Sequence, residues 1–166
     1  MTEDSSLKIK EAIYEDASLL ASIIRESFVD VARKFQLSMS NAPTHPSNCK
    51  SDWITSALEK GIRYFIIYKN NNALGCVALE KANELACYME RLGVIPQFRR
   101  QGHGSRLVNI ALQEAKKLRV ERVEIGIIAE DDRLKTWYEK RGFILKEVKK
   151  FDHLPFKVAF MYVNID

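Results

Sequence analysis

Glu90-Arg-Leu-Gly-Val-Ile-Pro-Gln-Phe-Arg-Arg-Gln-Gly-His-Gly-Ser-Arg-Leu-Val-Asn-Ile-Ala-Leu112 is the stretch that decides the fold, because it contains three successive patterns. The first is an apolar, strand-like run that closes with Leu92, Val94 and Ile95 and stops at Pro96, which has no N–H for a β-ladder. The second is a basic segment with two glycines, residues 99–104. The third has apolar residues at 107, 108, 111, 112, 115 and 118, the spacing of one helical face. We therefore expect a strand, a loop and an amphipathic helix in succession.

This order of elements favours an anion site at the start of the helix. The first N–H groups of a helix have no partners within the helix, and the helix dipole places partial positive charge there. Gly102 and Gly104 lack Cβ atoms, so an anion can approach the backbone closely, and Arg99, Arg100 and Arg106 add positive charge. The alternative interpretation is a helix start with two turn glycines and solvated arginines.

Two other phosphate-binding motifs are excluded. A P-loop requires Gly-Lys-Ser/Thr after the glycines, and this sequence has none. A dinucleotide-binding loop requires a third glycine at position 107, which is Leu107 here, although Glu124 lies at a suitable distance for a ribose-binding acid. The first half of the chain also predicts helices followed by antiparallel hairpins, not repeated βαβ units.

Composition limits the class of protein. The chain has 166 residues, of which 46% are hydrophobic and 29% charged, so we expect one α/β domain over residues 1–166. The net charge of +4 suits a small polyanionic ligand and lacks the basic stripe of a nucleic-acid-binding protein. No apolar run approaches the roughly 20 residues of a membrane span. The acidic, polar start of the chain is unlike a signal peptide, so we expect a cytoplasmic protein.

Cysteine and histidine spacing gives no sign of a metal site. The three cysteines are an odd number without a Cys-x-x-Cys pair, and no motif joins the three histidines. We therefore expect neither a disulfide framework nor a bound metal.

The remaining elements follow from periodicity and turn residues. Asp16 is expected to cap a helix that runs to about Phe35, and Gly142 suits a left-handed helix terminus. The expected order is a strand over 7–13, that helix, a long connection over 36–50, a short helix ending near 61, a hairpin of 63–68 and 73–80, a strand over 85–94, the loop and helix described above, a strand over 123–128, a helix over 131–141, and a closing hairpin of 143–151 and 156–165.

The loop pattern resembles a known family. Arg99-x-x-Gly102-x-Gly104, three residues after a strand-ending proline, is similar to the acyl-CoA pyrophosphate loop of the GNAT superfamily of N-acetyltransferases, Gln/Arg-x-x-Gly-x-Gly/Ala. Position 100 is often glycine in that motif and is arginine here. The resemblance is specific over residues 85–143, and before residue 85 it depends only on the order of elements.

A second motif supports the resemblance. In this superfamily a helix of the form Asn-x-x-Ala-x-x-Leu-Tyr-x-x-x-Gly-Phe follows the strand after the loop. The sequence matches that motif at Tyr138, Gly142 and Phe143. It departs from it at Asp131, Leu134 and Trp137. The implied fold is a mixed, centrally splayed β-sheet flanked by helices.

The resemblance implies acetyl-CoA as co-substrate. The loop amides of the segment Arg99, Arg100, Gln101, Gly102, His103, Gly104 and Ser105 would hold the pyrophosphate. The backbone of Leu92 and Val94 would pair with the pantetheine arm, and the Val94 N–H would polarise the thioester carbonyl, a contact worth roughly 3 kcal/mol in known cases. Asp131 is a further candidate contact to CoA, unless its carboxylate faces away from the phosphates.

Two residues are candidate catalytic groups. Tyr138 would protonate the leaving thiolate, since the unperturbed pKa of tyrosine, about 10, is near that of a thiol. Taken alone, Tyr138 fits better as a core aromatic residue with its hydroxyl at the surface. Glu90 is the candidate base for an ammonium acceptor; it shares a strand face with Leu92 and Val94 unless a bulge intervenes, and Gly93 suits such a break. The alternatives are a solvated Glu90 paired with Arg91, or deprotonation through water.

The resemblance implies an acceptor amine on a small molecule or a peptide. The candidate acceptor contacts are His45, Asn48, Cys49, Trp53 and Tyr88, with Phe156 a further position that could line the same pocket. A loop without a binding role is the alternative, and His45 is also considered as a second base.

The first hypothesis is therefore an N-acetyltransferase in which the amine attacks the thioester directly. One alternative is a non-catalytic acyl-CoA-binding or sensing module, and another is an acetyltransferase for protein or peptide termini. The closing hairpin offers an edge for a homodimer.

Overall fold

Residues 6–165, which the computed structural model describes, form a sheet of seven strands and four α-helices. The strands are β1 (Leu7–Glu11), β2 (Arg63–Lys69), β3 (Asn72–Lys81), β4 (Ala86–Val94), β5 (Arg122–Ile128), β6 (Ile144–Lys150) and β7 (Lys157–Asn164). The helices are α1 (Ala17–Lys34), α2 (Ser51–Glu59), α3 (His103–Lys117) and α4 (Asp132–Glu139). Short 3₁₀ turns lie at Tyr14–Asp16, Pro46–Asn48 and Pro96–Phe98.

The sheet is mixed and opens at its centre. Its order is β1-β2-β3-β4-β5-β7-β6, and every neighbouring pair is antiparallel except β4 and β5. These two parallel strands pair only at Ala86 with Arg122, Cys87 with Val123 and Tyr88 with Glu124. Beyond Tyr88 the described part of the chain gives β4 no partner on the β5 side. The predicted mixed, centrally splayed sheet flanked by helices is therefore confirmed.

Each face of the sheet carries its own hydrophobic core. On one face α3 and α4 pack on the sheet through residues such as Leu107, Val108 and Tyr138. On the other face α1 and α2 pack through residues such as Leu20 and Ile54. The apolar period of α3, read from the sequence, is the reason this helix buries one face against the sheet.

Most predicted elements are present, and Asp16 occupies the predicted N-cap position of α1 without the expected hydrogen bond from its side chain. The Asp16 side chain accepts a hydrogen bond from the N–H of Ile13 at 2.9 Å and makes no cap hydrogen bond to the first turn of α1. Asp16 instead ends the 3₁₀ turn that precedes α1. Gly142 has the predicted left-handed backbone, with φ of 91°, directly after α4.

The break in β4 lies at Arg91 and not at Gly93. Ala78 pairs with Glu90 and Cys76 with Gly93, so two residues of β4 lie opposite one of β3, which is a β-bulge. Arg91 has φ of 51°, a left-handed conformation that is uncommon for a residue with a side chain. Gly93 has a different function, because a Cβ atom there would lie 2.6 Å from the Cβ of Ser27 on α1.

None of the helices within residues 6–165 is long and apolar enough to cross a membrane.

Candidate active site

The start of α3 presents backbone amides without partners. Gly102 is the N-cap residue, with φ of 85°, and no side chain caps the helix. The N–H of Arg106 donates to the Gly102 carbonyl at 3.1 Å. The N–H groups of residues 103–105 precede that first helical bond, so the helix itself gives them no acceptor. Amides arranged in this way are able to donate to an anion.

Both loop glycines lie where side chains would intrude. A Cβ atom on Gly104 would lie 3.1 Å from Cζ2 of Trp137, and one on Gly102 would lie 2.9 Å from Nη1 of Arg106. Arg100 has φ of 64°, which explains why glycine suits this position of the motif. Trp137, one of the three residues that depart from the second motif, is thus packed against the loop.

Arg99 connects the end of β4 to α1. Its Nε donates to the Val94 carbonyl at 2.9 Å, its Nη2 donates to the Ser27 carbonyl at 2.6 Å, and its Nη1 forms an ion pair with Asp30. The guanidinium is therefore held by α1, and its charge is balanced by Asp30. Arg106 folds back over the loop and donates to the Gln101 carbonyl at 3.2 Å.

Arg141 is a cation at the loop that the sequence interpretation missed. Its Nη2 and Nε both donate to Oγ of Ser105, at 2.6 and 3.1 Å, and its Nη1 donates to the Trp137 carbonyl at 2.8 Å. The guanidinium carbon lies 3.5 Å from the centre of the Trp137 ring, a cation–π contact. The i, i+4 spacing of Trp137 on α4 and Arg141 just after its end was the available signal.

His103 contributes no positive charge to the loop. The residue is 3% exposed, and neither ring nitrogen has a hydrogen-bond partner in the described part of the chain. Burial lowers the pKa of His103, and the nearby charges of Arg106 and Lys69 lower it further. The imidazole is therefore neutral near pH 7, and only the His103 backbone can bind an anion at this turn.

The splayed edge of β4 offers backbone groups to a ligand. The Ile95 N–H donates to the Leu74 carbonyl of β3 at 2.9 Å. Because successive N–H groups along a strand point to opposite edges, those of Val94 and Leu92 point towards β5. Since β5 pairs with β4 only up to Tyr88, this edge is free to take an added extended chain.

Tyr138 lies next to the loop and inside the core below α3. It is 5% exposed, and its ring packs edge-on against those of Trp137 and Phe143 at centroid distances of 5.0 and 5.2 Å. Burial raises the pKa of Tyr138 well above its ordinary value, and Arg141 opposes that shift. The phenol is therefore protonated throughout the neutral range. Its oxygen has no hydrogen-bond partner within residues 6–165.

Asp131 serves as the N-cap of α4. Its Oδ1 accepts from the Leu134 N–H at 3.3 Å and lies 3.9 Å from Nζ of Lys34. The Asp131 carboxylate thus caps the first turn of α4 and pairs with the Lys34 charge. This structural role explains an acidic residue at a position where repulsion from phosphate was expected.

The bulge places Glu90 on the opposite face from Leu92 and Val94. Glu90 pairs with Ala78, which packs with α1 and α2, whereas Leu92 and Val94 pack on the α3 side. Burial raises the pKa of Glu90, and the Glu80 carboxyl raises it further. Glu90 and Tyr138 therefore lie on opposite faces of the sheet, and Glu90 lies beside the gap between β4 and β5. No ion pair joins Glu90 to Arg91 in the described residues.

His45 and Asn48, two of the predicted acceptor contacts, make hydrogen bonds within the connection before α2. His45 Nδ1 lies 2.8 Å from Oγ of Ser47, and burial lowers the pKa of His45 to about 4, with Arg91 lowering it further, so the ring is a weak base. Asn48 donates to the Ala42 carbonyl at 3.1 Å. The histidine and the asparagine thus stabilise the turn itself.

Arg91 links this connection to β4. Its guanidinium lies over the half-buried Trp53 ring, 5.6 Å from the centroid, and donates to Sγ of Cys49 at 3.5 Å. Cys49 is fully buried, and burial raises the pKa of its thiol, so it is not an activated nucleophile. Tyr88 is 42% exposed and lies on the Glu90 face, where it is open to a ligand. Phe156, in the loop before β7, is half-buried.

Within residues 6–165 no three histidine, cysteine, aspartate or glutamate side chains are grouped to hold a metal ion.

Known proteins share both the sequence pattern and the architecture. Residues 25–143 match the model of the acetyltransferase (GNAT) family. The fold is similar to the ribosomal-protein-S18-alanine N-acetyltransferase of Escherichia coli, with 15% identity, 96% of this chain and 94% of that chain covered, and a TM-score of 0.76. It is also similar to the PaiA N-acetyltransferase of Thermoplasma acidophilum in complex with coenzyme A, with 15% identity, coverage of 96% and 99%, and a TM-score of 0.79.

A third similar structure is a GNAT family acetyltransferase from Elizabethkingia anophelis with acetyl-CoA bound, with 14% identity, coverage of 96% and 98%, and a TM-score of 0.68. At these identities the structures establish the fold, and the family match over most of the chain establishes the relationship. The chain therefore belongs to the acetyltransferase (GNAT) family and is an acyltransferase.

Proposed function

We propose that this protein transfers the acetyl group of acetyl-CoA to an amine, which attacks the thioester directly. The observation that carries this proposal is the uncapped first turn of α3, directly after the open edge of β4. The uncapped turn of α3 suits a diphosphate, and the open edge of β4 suits an extended pantetheine arm. Acetyl-CoA contains both groups, and it supplies an activated acyl group when bound.

The loop fits the diphosphate. The amides of residues 103–105 need acceptors, and the glycine N-cap leaves them uncovered. We assign the backbone of residues 99–105 to this role. Arg106 and Arg141 add positive charge beside it, and the Arg141 contact to Ser105 places that charge on the first turn of α3.

The edge of β4 fits the pantetheine arm. The N–H groups of Leu92 and Val94 point into the gap towards β5, where no strand pairs with them among the described residues. The Val94 carbonyl is held by Arg99, which fixes the orientation of this peptide. We propose that the Val94 N–H donates to the thioester carbonyl, a preorganised contact of roughly 3 kcal/mol.

Tyr138 is the proposed proton donor to the leaving sulfur. Its phenol is buried beside the loop, stays protonated at neutral pH, and has an oxygen with no partner within residues 6–165. A raised pKa makes this phenol a weaker acid. Its proposed contribution is therefore a positioned hydrogen bond to the sulfur, along which the proton is transferred as negative charge develops there.

Glu90 is the proposed base for the acceptor ammonium. Its pKa is raised towards neutrality, so its carboxylate is a stronger base than an exposed glutamate. The opposite placement of Glu90 and Tyr138 supports a division of labour, in which the amine is deprotonated on the α1–α2 face and the thiol is protonated on the α3–α4 face. Tyr88 and Trp53 are the proposed acceptor contacts, because both retain exposure beside Glu90.

The test is thiol release from acetyl-CoA with a panel of acceptors, namely spermidine, lysine and peptides that begin with alanine. We expect thiol release only when an acceptor amine is present. If coenzyme A binds and no acceptor on a wide panel of amines and peptides is acetylated, the chain is an acyl-CoA-binding module instead.

Tyr138→Phe should lower kcat about a hundredfold and leave KM for acetyl-CoA nearly unchanged, since only proton donation is lost. Tyr14→Phe is the control, because Tyr14 is exposed and distant in sequence from the site. Equal kcat values for Tyr138→Phe and the wild-type protein would remove Tyr138 from the mechanism.

A further inference from the structure

A second carboxyl group lies beside the proposed base. In the antiparallel pair of β3 and β4, Glu80 lies opposite Tyr88 and Ala78 lies opposite Glu90. Glu80 and Glu90 are therefore diagonal neighbours on the same face of the sheet, a separation that long side chains bridge. From these positions the two carboxyl groups can reach each other across the strand pair. Neither residue belongs to the two motifs that carried the sequence interpretation.

The described residues form no ion pair with these two carboxyl groups, although the charge of Arg91 lowers the pKa of Glu90. Among residues 6–165, neither carboxyl group has a lysine, arginine or histidine within ion-pair distance. Arg91 follows Glu90 directly in the chain, but the bulge turns its guanidinium to Cys49 and Trp53. Tyr64 of β2 faces the same region. The charged groups that act on Glu90 are thus Glu80 and Arg91, and Tyr64 is a titratable neighbour on the same face.

A carboxylate on a neighbouring position of the same sheet face repels a second negative charge, which favours the protonated form of Glu90. Burial raises the pKa of Glu90 first, and both the charge and the hydrogen bond of Glu80 raise it further. A hydrogen bond from the Glu90 hydroxyl to the Glu80 carboxylate favours the protonated form of Glu90. Glu90 takes this protonated form when it accepts a proton from the acceptor ammonium.

We propose that Glu80 is a positioning residue for acetyl transfer, because it holds the Glu90 carboxyl group by a hydrogen bond on the face where the acceptor is deprotonated. This inference rests on the proposed function. In the step concerned, an N–H bond of the acceptor ammonium breaks and an O–H bond forms on the Glu90 carboxylate. The new hydroxyl then donates to Glu80, and its proton passes to water when Glu90 ionises again.

The direct test is a carboxyl ¹³C NMR titration of Glu90, assigned with Glu90→Gln. In Glu80→Gln the neighbouring charge is lost and the amide can donate to the Glu90 carboxylate. We therefore expect the Glu90 midpoint to fall by about one pH unit. Glu80→Ala provides a second variant and should lower the midpoint in the same direction. Glu84→Gln is the control, since Glu84 is exposed on the turn after β3 and should leave the midpoint unchanged.

The kinetic readout uses the pH dependence of kcat/KM with the same probes, spermidine and a peptide that begins with alanine. The acidic limb should move to lower pH in Glu80→Gln, while KM for acetyl-CoA stays unchanged. A Glu90 midpoint that is the same in wild type, Glu80→Gln and Glu80→Ala overturns the proposal. The NMR titration needs no turnover, so it decides on Glu80 even if no probe is acetylated and the proposed function fails.

Discussion

Arg141 shows how one side chain connects two motifs that are distant in the sequence. Its guanidinium is sandwiched between the Trp137 ring and Oγ of Ser105, so it ties α4 to the first turn of α3. Trp137 in turn packs against Gly104. The positive charge of Arg141 is thus fixed beside amides that need an acceptor, which is the arrangement expected for a phosphate-binding arginine.

Arg141→Gln should weaken coenzyme A binding about tenfold, or ~1.4 kcal/mol, because a charge-assisted contact to phosphate is lost. Isothermal titration calorimetry measures this change. Arg33→Gln removes an exposed arginine near the end of α1 and should leave the Kd unchanged. The same Kd for Arg141→Gln and the wild-type protein would show that Arg141 only fastens the two helices together.

Individual residues also show where sequence reasoning stops. Tyr138 and the loop glycines were identified because their spacing follows a motif. The left-handed backbone of Arg91 was not identified, because glycine is the usual residue for such a conformation and Gly93 was the nearest candidate. The contacts of Glu80 and Arg141 depend on strand register and helix packing, which no local pattern of residues specifies.

Among the secondary-structure elements, β4 carries the most function. Its first three residues pair with β5, its middle contains the bulge that turns Glu90 and Leu92 to opposite faces, and its end offers free amides. Gly93 allows this end to lie close to α1, where Ser27 would contact any side chain. The close approach of β4 to α1 therefore depends on the absence of a side chain at position 93.

Gly93→Ala should destabilise the protein by about 1–3 kcal/mol, because its methyl group would overlap Ser27 in a close-packed contact. Urea unfolding measures the change. Gly126→Ala is the matched control on β5, since a Cβ atom there lies at least 3.3 Å from the flexible side chains of Val158 and Phe160. Equal unfolding free energies for the two variants would show that α1 moves away from β4 without cost.

Elements with a strong period were predictable from the sequence. The apolar spacing of α3 predicts a helix before any tertiary contact is considered. Asn70 and Asn71, which both have positive φ, likewise predict the turn of the first hairpin. The short parallel pairing of β4 and β5 was not visible in either strand alone. The resemblance to the family supplied the splay, and the register of β4 with β5 shows its extent.

For the whole molecule, the sheet explains why residues from distant segments meet at one gap. The closing strands β6 and β7 complete the sheet on one side of the gap, and β1–β3 complete it on the other. The acceptor-side connection before α2 is fixed to β4 through Arg91. We propose on this basis that residues 1–166 act as one N-acetyltransferase domain, with the diphosphate, the thioester and the acceptor aligned along the gap.

The most direct test of this account is a titration of ¹⁵N-labelled protein with coenzyme A, followed by the backbone amide signals. We expect the amides of residues 103–105 to move downfield as they donate to phosphate, and those of Leu92 and Val94 to shift at the same coenzyme A concentration. Saturable binding of coenzyme A that leaves these amide signals in place would contradict the assignment of the α3 turn and the β4 edge as its site.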